Sequence, residues 1–443
     1  MTDWIGETYL NGAGWEHVER LVEIGPRPAG SDAERAAAAA TREALEAVGA
    51  RNARTEEFPI QGWTRGSSAL HHPASGDETE TLAFARSPSG EATGRLVDVG
   101  HGLADEVDAA PLEGAVALVR NHAPEDHERV VHRQEKYARV VGAGARAYVE
   151  RNHLPGCLPR SGYVRGADGA PLGEVPAVSV SHEAGARLAR RAVGDPVTVA
   201  VDAETGEATS RNVLAEVGPE TDERVVVSAH LDGSDVSESA GDDAVGVGAV
   251  VGVAEALARR ARELETTVRL VAFGAEELPL LGARHRAERA DLDRVRAVVQ
   301  NDGLGRARDL AFLTHGSDAL AGLAREVAGA FDHPARVSPD LYLSSDNWRY
   351  VERGVPAYLV GSVTPDGAPT HGPSNANVLT PADTLDKLDP RDLRAGVLLE
   401  TELVVRLAER DRSVPRIRRE DLDAQLEREG KAHKAELYEQ FDY

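Results

Sequence analysis

The sequence predicts an α/β fold: a mixed, mostly parallel central sheet flanked by helices, with an inserted β-rich domain. Three observations lead there. From about residue 210 to 411, short β-branched apolar runs alternate with helical stretches, the pattern of an α/β domain. Those runs are apolar throughout, as expected for strands covered on both faces. Between about 86 and 203 the texture changes to short apolar strands separated by Gly/Pro loops, which marks a separate β-rich piece.

The elements follow in order. Within 14–49, WEHVERLVEIG and SDAERAAAAATREALEAVGA read as two helices around a GPRPAG turn, with Ser31 as N-cap, Glu34 as its capping-box partner and Gly49 as the stop. An extended stretch, RTEEFPI, occupies 54–60. Strands of the insert are expected at 94–100, 114–120, 145–150 and 175–181, with a helix inside 128–145. The main domain then supplies strands at 224–229, 268–273, 296–301 and 355–360, and helices at 244–263, 318–331 and 391–411. The apolar run 244–254 is too short to span a membrane, for which about 20 residues are needed. Its small residues suit a buried helix packed closely on a sheet. Four segments result: 1–85 and 204–412 forming the main domain, 86–203 as the insert, and 413–443 as a charged tail. That tail reads as a solvated helix, with a dimer arm as the sharper reading.

Composition narrows the function. Of 443 residues, 50 are Lys or Arg and 74 are Asp or Glu, a formal charge of −24. A nucleic-acid partner is therefore not expected, since phosphate binding needs a basic face. Only four of the basic residues are lysines (Lys136, Lys387, Lys431, Lys434), and so acidic an arginine-rich chain reads as salt-loving. The single cysteine, Cys157, has no intramolecular partner and fits a reducing cytoplasm. The opening residues carry acids and no apolar h-region, so neither a secretory signal nor a membrane partner is expected.

The residues that carry chemistry stand at strand ends. His230 follows the 224–229 run, Glu276 and Glu277 follow 268–273, and Asp302 follows 296–301. Asp242 and Asp243 lie in the loop after His230, just before a helix. Open α/β sheets bind ligands beyond the carboxyl ends of their strands, and His nitrogen with carboxylate oxygen is a Zn2+ donor set. Asp232 is placed to hold the other ring nitrogen of His230. Cys157 lacks a paired base and is read as an inert thiol. There is no G-x-S-x-G elbow, which disfavours a serine hydrolase.

The blocks VVVSAHLDGSDVSESAGDDAVGVGAVV, VRLVAFGAEELPLLGAR and AVVQNDGLG, with the opening GPRPAGSDAER, resemble the zinc-dependent aminopeptidases that share a fold with glutamate carboxypeptidase. Residues 94–190, notably LEGAVALVR, GAGARAYV and VPAVSVS, resemble the protease-associated domain often inserted in that family. The resemblance implies a metallopeptidase that removes residues from peptide N-termini using two Zn2+ ions. Asp242 would bridge them, His230 and Asp302 would complete one, Glu277 would serve the other, and Glu276 would be the general base. Asp243 would be structural. Where the family usually has a histidine before a TPADTLDKLD-like segment, this chain has Leu379. His371 in PTHGPSN is the expected replacement, with His315 a weaker one; without His371 the count falls to one ion. Asn347 stands where histidine is common and Pro279 where glycine is. Two rival readings remain: a relative that binds peptides or partners without turnover, and a one-metal enzyme of the same fold.

Overall fold

The structure is a computed structural model describing residues 3–440, apart from positions 11, 125, 128, 130, 167, 168, 365, 366 and 368–374. Along the chain lie helices α1 (Asp3–Leu10), α2 (Ala13–Ile24) and α3 (Asp32–Ala47), then strands β1 (Arg51–His72), β2 (Asp77–Thr79), β3 (Leu82–Ala83) and β4 (Gly90–Gly100). After α4 (Ala104–Ala109) come β5 (Val116–Arg120), α5 (Arg133–Gly142), β6 (Ala147–Arg151), β7 (Ala177–Val180), α6 (His182–Arg191) and β8 (Pro196–Val217). The remainder comprises β9 (Arg224–His230), α7 (Val245–Arg259), β10 (Thr267–Phe273), α8 (Leu281–Arg289), β11 (Val295–Asn301), β12 (Asp309–Leu313), α9 (Asp318–Ala330), β13 (Ala335–Ser338), α10 (Trp348–Val351), β14 (Ala357–Val363), α11 (Pro390–Leu407), α12 (Arg419–Arg428) and α13 (Ala432–Gln440). Two compact units form, one from Met1–Ile60 and Ala208–Glu429, the other from Gln61–Glu207 and Gly430–Tyr443.

In the first unit the strand order is β13-β12-β14-β11-β9-β10, followed by the end of β8. β9 pairs in parallel with both β10 and β11, and β11 with β14; β12 runs antiparallel to β14 and β8 antiparallel to β10. The sheet is thus mixed and mostly parallel, as the uniformly apolar runs predict. Its core joins alternate strand residues such as Val225, Val227, Leu270 and Val299 to the buried faces of α2, α3, α7, α9 and α11. The small residues of α7 serve a different contact from the one expected. A Cβ on Gly248 would lie 2.7 Å from the Gly14 carbonyl oxygen, and one on Gly252 would lie 2.9 Å from Val397. The glycines let α2 and α11 approach α7 closely.

The Ser31 hydroxyl caps α3 by accepting from the Glu34 amide at 3.0 Å. The reciprocal half of the expected box goes elsewhere: the buried Glu34 carboxylate accepts from the Gly30 amide at 2.8 Å and from the Ser210 hydroxyl.

The second unit has its own parallel ladder. β4, β5, β6 and β7 pair in that order, all parallel, with β3 antiparallel to β7 and the start of β8 antiparallel to β4. Successive residues alternate between two apolar clusters: Val116 and Leu118 join one, Ala117 and Val119 the other. Both faces of this sheet are therefore covered, which explains why its strands are short apolar runs.

The tail differs from the single solvated helix expected. It forms α12 and α13, and buries Leu422 and Leu426 in the first and Ala435 and Tyr438 in the second. These few apolar residues are masked in the sequence by surrounding charge. Among the described residues no helix is long and apolar enough to cross a membrane.

Candidate metal centre

β9, β10 and β11 are neighbours and run parallel, so their carboxyl ends lie together at one edge of the sheet. His230 is the last residue of β9, in register with Phe273 at the end of β10. It is fully buried. Its Nδ1 lies 3.1 Å from the Asp232 carbonyl oxygen and its Nε2 3.1 Å from Asp242 Oδ1. A carbonyl only accepts, so Nδ1 carries a proton and Nε2 is directed at Asp242.

This corrects the expected role of the Asp232 side chain. Its Oδ1 is 3.8 Å from the ring, and the carboxylate instead accepts the backbone N–H groups of Glu276 at 2.9 Å and Glu277 at 3.2 Å. Asp232 therefore ties the loop after β10 to the loop after β9, while its main chain orients the imidazole.

Asp242 and Asp243, joined by a cis peptide, lie in the tight turn Ala240–Ala244 that leads into α7. Their side chains divide. Asp243 is fully buried, accepting from the His230 amide at 3.3 Å and the Gly246 amide at 3.1 Å, so it joins the end of β9 to the first turn of α7. The Asp242 side chain keeps 16 % of its exposure and is the more open of the pair. Asp302, directly after β11, completes the group: His230, Asp242 and Asp302 each offer a ligand atom, all within 4.8 Å of one another.

The electrostatics call for a cation. Burial first, then neighbouring carboxylates, push the Asp243, Glu276, Glu277 and Asp346 carboxyls well above the usual range. Burial opposes protonation of His230, but Glu276, Asp232, Asp242 and Asp243 outweigh it and raise the imidazole well above its ordinary value. Glu277 Oε1 and Asp346 Oδ1 are buried with no hydrogen-bond partner. Buried charge gathered in this way is costly unless paired. One imidazole nitrogen with several carboxylate oxygens suits Zn2+ or a similar divalent ion. The residues present fit such an ion.

Three further residues were not assigned from the sequence, although the motifs of two of them stand above. Arg27, from GPRPAG, is fully buried and donates to the carbonyls of Leu231 at 3.1 Å, Glu238 at 2.7 Å and Ser239 at 3.1 Å. It thereby fixes both ends of the loop between His230 and Asp242. Burial lowers its guanidinium to about 10, against the pull of Asp232, Asp383, Asp243 and Asp242. Asp383, from TPADTLDKLD, accepts from the Gly241 amide at 3.0 Å and pairs with Arg306 at 3.4 Å. Asp346, from SSDNW, is held at one oxygen by Gln300 at 3.4 Å. Buried acids in an acidic chain give no signal of their own, which is why these were not singled out.

The expected replacements for the last ligand fare differently. Leu379 takes a left-handed backbone (φ 58°) and offers no donor. His315 is not available: Asn347 Nδ2 donates to its Nε2 at 2.9 Å and its Nδ1 donates to the Ala357 carbonyl at 3.0 Å. A buried histidine with both nitrogens engaged is a structural partner for Asn347. His371 lies outside the described residues. Cys157 is exposed and unbridged.

Comparison with known proteins agrees with this geometry. Residues 212–400 match the model of Peptidase family M28. A probable lipoprotein aminopeptidase, LpqL, of Mycobacterium tuberculosis is 32% identical over 127 residues, 28% of this chain and 25% of the relative. Aminopeptidase YwaD of Bacillus subtilis is 27% identical over 267 residues, 59% of this chain and 54% of the relative. The chain thus spans from a quarter to about half the length of these curated relatives. In fold it is similar to a Peptidase M28 precursor from Shewanella amazonensis, with a TM-score of 0.77 and 23% identity over 94% of this chain and 97% of that one. The matched segment holds β9, β10, β11 and every ligand candidate of this site in the described residues, and over it this chain is similar to Peptidase family M28.

Proposed function

We propose that this chain is a metal-dependent aminopeptidase that removes N-terminal residues from peptides. The observation that carries the reading is the convergence of His230, Asp242 and Asp302 at one sheet edge, with the adjoining Glu276–Glu277 backbone anchored on Asp232. The names of the relatives, both aminopeptidases, support it. His230, Asp242 and Asp302 would hold one divalent ion; a second, if bound, would draw on Asp242 and Glu277, with His371, outside the described residues, as the candidate last ligand. Zinc bound there supplies Lewis-acid polarisation of the scissile carbonyl and a lowered pKa for the attacking water. Glu276 is the general base: it takes the proton of that water and hands it to the departing amine. Asp232 keeps the base in place through the backbone it accepts from. The second unit is read as an inserted protease-associated-like domain.

The test is release of free amino acids from short peptides in the presence of Zn2+ or Co2+, abolished by Glu276→Gln. Activity that persists in that variant removes Glu276 as the base. Leu379 motivates a one-ion alternative, and the number of ions per chain lost by atomic emission when His230→Ala and Asp242→Asn are introduced, with the Leu379→His variant alongside, separates the two.

A further inference from the structure

β4, β5, β6 and β7 of the second unit are adjacent and parallel, so their carboxyl ends share an edge, the position where open α/β sheets bind ligands. Each is followed within two residues by a histidine: His101, His122, His153 and His182. Three of the rings are in contact. His101 and His122 have centroids 5.1 Å apart at 88°, and His122 and His153 have centroids 5.1 Å apart at 37°. Two imidazoles on one tetrahedral ion, with zinc–nitrogen bonds of ~2.0–2.1 Å, place their ring centres about 5 Å apart.

The surroundings supply these rings with acceptors of the kind that support histidine ligands. His153 Nδ1 donates to Asn121 Oδ1 at 2.9 Å, which leaves the Nε2 lone pair available. His101 Nδ1 faces Glu106 Oε1 at 3.5 Å, while the other oxygen of that carboxylate accepts from the His101 and Leu103 amides. Acceptors on the far ring nitrogen are the usual outer support of histidine ligands. His122 Nδ1 is buried without a hydrogen-bond partner, and the backbone beneath that ring is pinned by Lys136, which donates to the carbonyls of Arg120 and His122 at 2.8 and 3.0 Å. Burial, with His153 and His101 beside it, lowers His122 to about 4, and burial likewise lowers His153. His182 is engaged differently, its Nε2 being 3.2 Å from Arg151 Nη2.

We propose that His101, His122 and His153 form a second metal site, within the second unit, for a divalent transition ion of the imidazole-preferring class such as Zn2+ or Cu2+. The outer two rings turn toward His122 to share the ion, and water completes the shell. Nothing in this depends on the peptidase reading.

The test uses the full chain carrying His230→Ala and Asp242→Asn, which removes ligands of the other centre. Calorimetric titration with Zn2+ is expected to retain one equivalent. Bound Cu2+ is expected to show nitrogen hyperfine structure from histidine in electron paramagnetic resonance. Adding His122→Gln or His153→Gln is expected to weaken binding at least tenfold, and in the otherwise unmodified chain either change lowers the bound zinc by one equivalent. Absence of saturable binding with the three histidines intact, or binding unchanged by both substitutions, overturns the site. If His122→Gln fails to fold by circular dichroism, the half-buried His153 decides by the same criterion.

Discussion

The two units put metal-ligand side chains at the same topological place, the carboxyl edge of adjacent parallel strands, with opposite chemistry. In the first unit that edge carries one imidazole among mostly buried carboxylates, with His230, Asp243, Glu276 and Glu277 drawn toward protonation. In the second it carries imidazoles that are half-buried, with His122 and His153 drawn toward neutrality. A gathering of buried anions is unfavourable until something positive joins it. Neutral imidazoles incur no such cost. The first edge is therefore committed to its ion, whereas the second can stand with or without one.

The largest effect should come from Glu276, the residue proposed as the general base. Glu276→Gln is expected to lower kcat by about 10²–10⁴-fold, with bound zinc unchanged. Steady-state kinetics paired with metal analysis checks this. Loss of metal together with activity would assign Glu276 to the ligand set and make the first edge resemble the second, where His101, His122 and His153 are proposed as ligands alone.

Next comes Arg27, a buried cation that holds backbone carbonyls at the first edge as Lys136 does at the histidine edge. Its removal strands the carbonyls of Leu231, Glu238 and Ser239 and takes a fixed positive charge from beside Asp232 and Asp243. Arg27→Ala is expected to cost about 3–5 kcal/mol, the usual penalty for breaking a buried ionic group, read from urea unfolding of the metal-free chain. Arg35→Ala is the control: its partner Asp32 is 88% exposed, and a change below about 1 kcal/mol is expected. Equal effects at the two positions would show that no special compensation exists at the first edge.

These two residues also show how much was legible beforehand. Uniformly apolar runs located β9, β10, β11 and β14, because burial on both faces leaves a pattern in composition alone. His230, Asp242, Glu276, Glu277 and Asp302 stood out because each follows such a run or lies in the adjoining loop. Arg27, Asp346 and Asp383 did not, since their roles depend on hydrogen bonds between segments far apart in sequence. Asp232 was correctly placed near His230 but given the wrong partner, because sequence does not distinguish a side-chain acceptor from a carbonyl of the same residue. The histidine row was missed for another reason: its members are spread from 101 to 182, and only parallel pairing brings them to one edge.

pH should separate the two edges by sign. Burial raises Glu34 to about 7 and Glu400 to about 8. The folded first unit then holds protons that the unfolded chain releases above its ordinary carboxyl pKa of about 4.5. Stability of the metal-free protein falls as pH rises from about 5 to 8. Glu400→Gln keeps shape and neutrality, and is expected to remove a few kcal/mol of that decline. His122 behaves oppositely. Its folded value of about 4 lies below the ordinary 6.5, so its contribution is complete above 6.5 and is lost as pH falls toward 4. His122→Gln should flatten the acid side alone. Urea titrations from pH 4 to 9 on both variants check the assignment, and a basic-side effect of His122→Gln would contradict it.

The smallest expected effect concerns surface charge outside both edges, where salt acts in two directions. Exposed pairs such as Arg35–Asp32 at 2.7 Å and Arg418–Asp421 at 2.7 Å are each worth little and weaken as ions screen them. The net charge of −24 means that many acids have no cationic partner, and screening relieves their mutual repulsion. Repulsion among the excess outlasts attraction within the pairs, so Tm should rise by a few degrees between dilute buffer and molar KCl. Because the Debye length drops from ~30 Å at 10 mM to ~3 Å at 1 M, most of the rise should come at the low end of that range. The buried carboxylates of the first edge lie beyond the reach of mobile ions, so metal affinity there should change less with salt than the Tm does. An unchanged Tm across the series would show that the paired and unpaired charges balance, leaving the excess of acid without a role in stability.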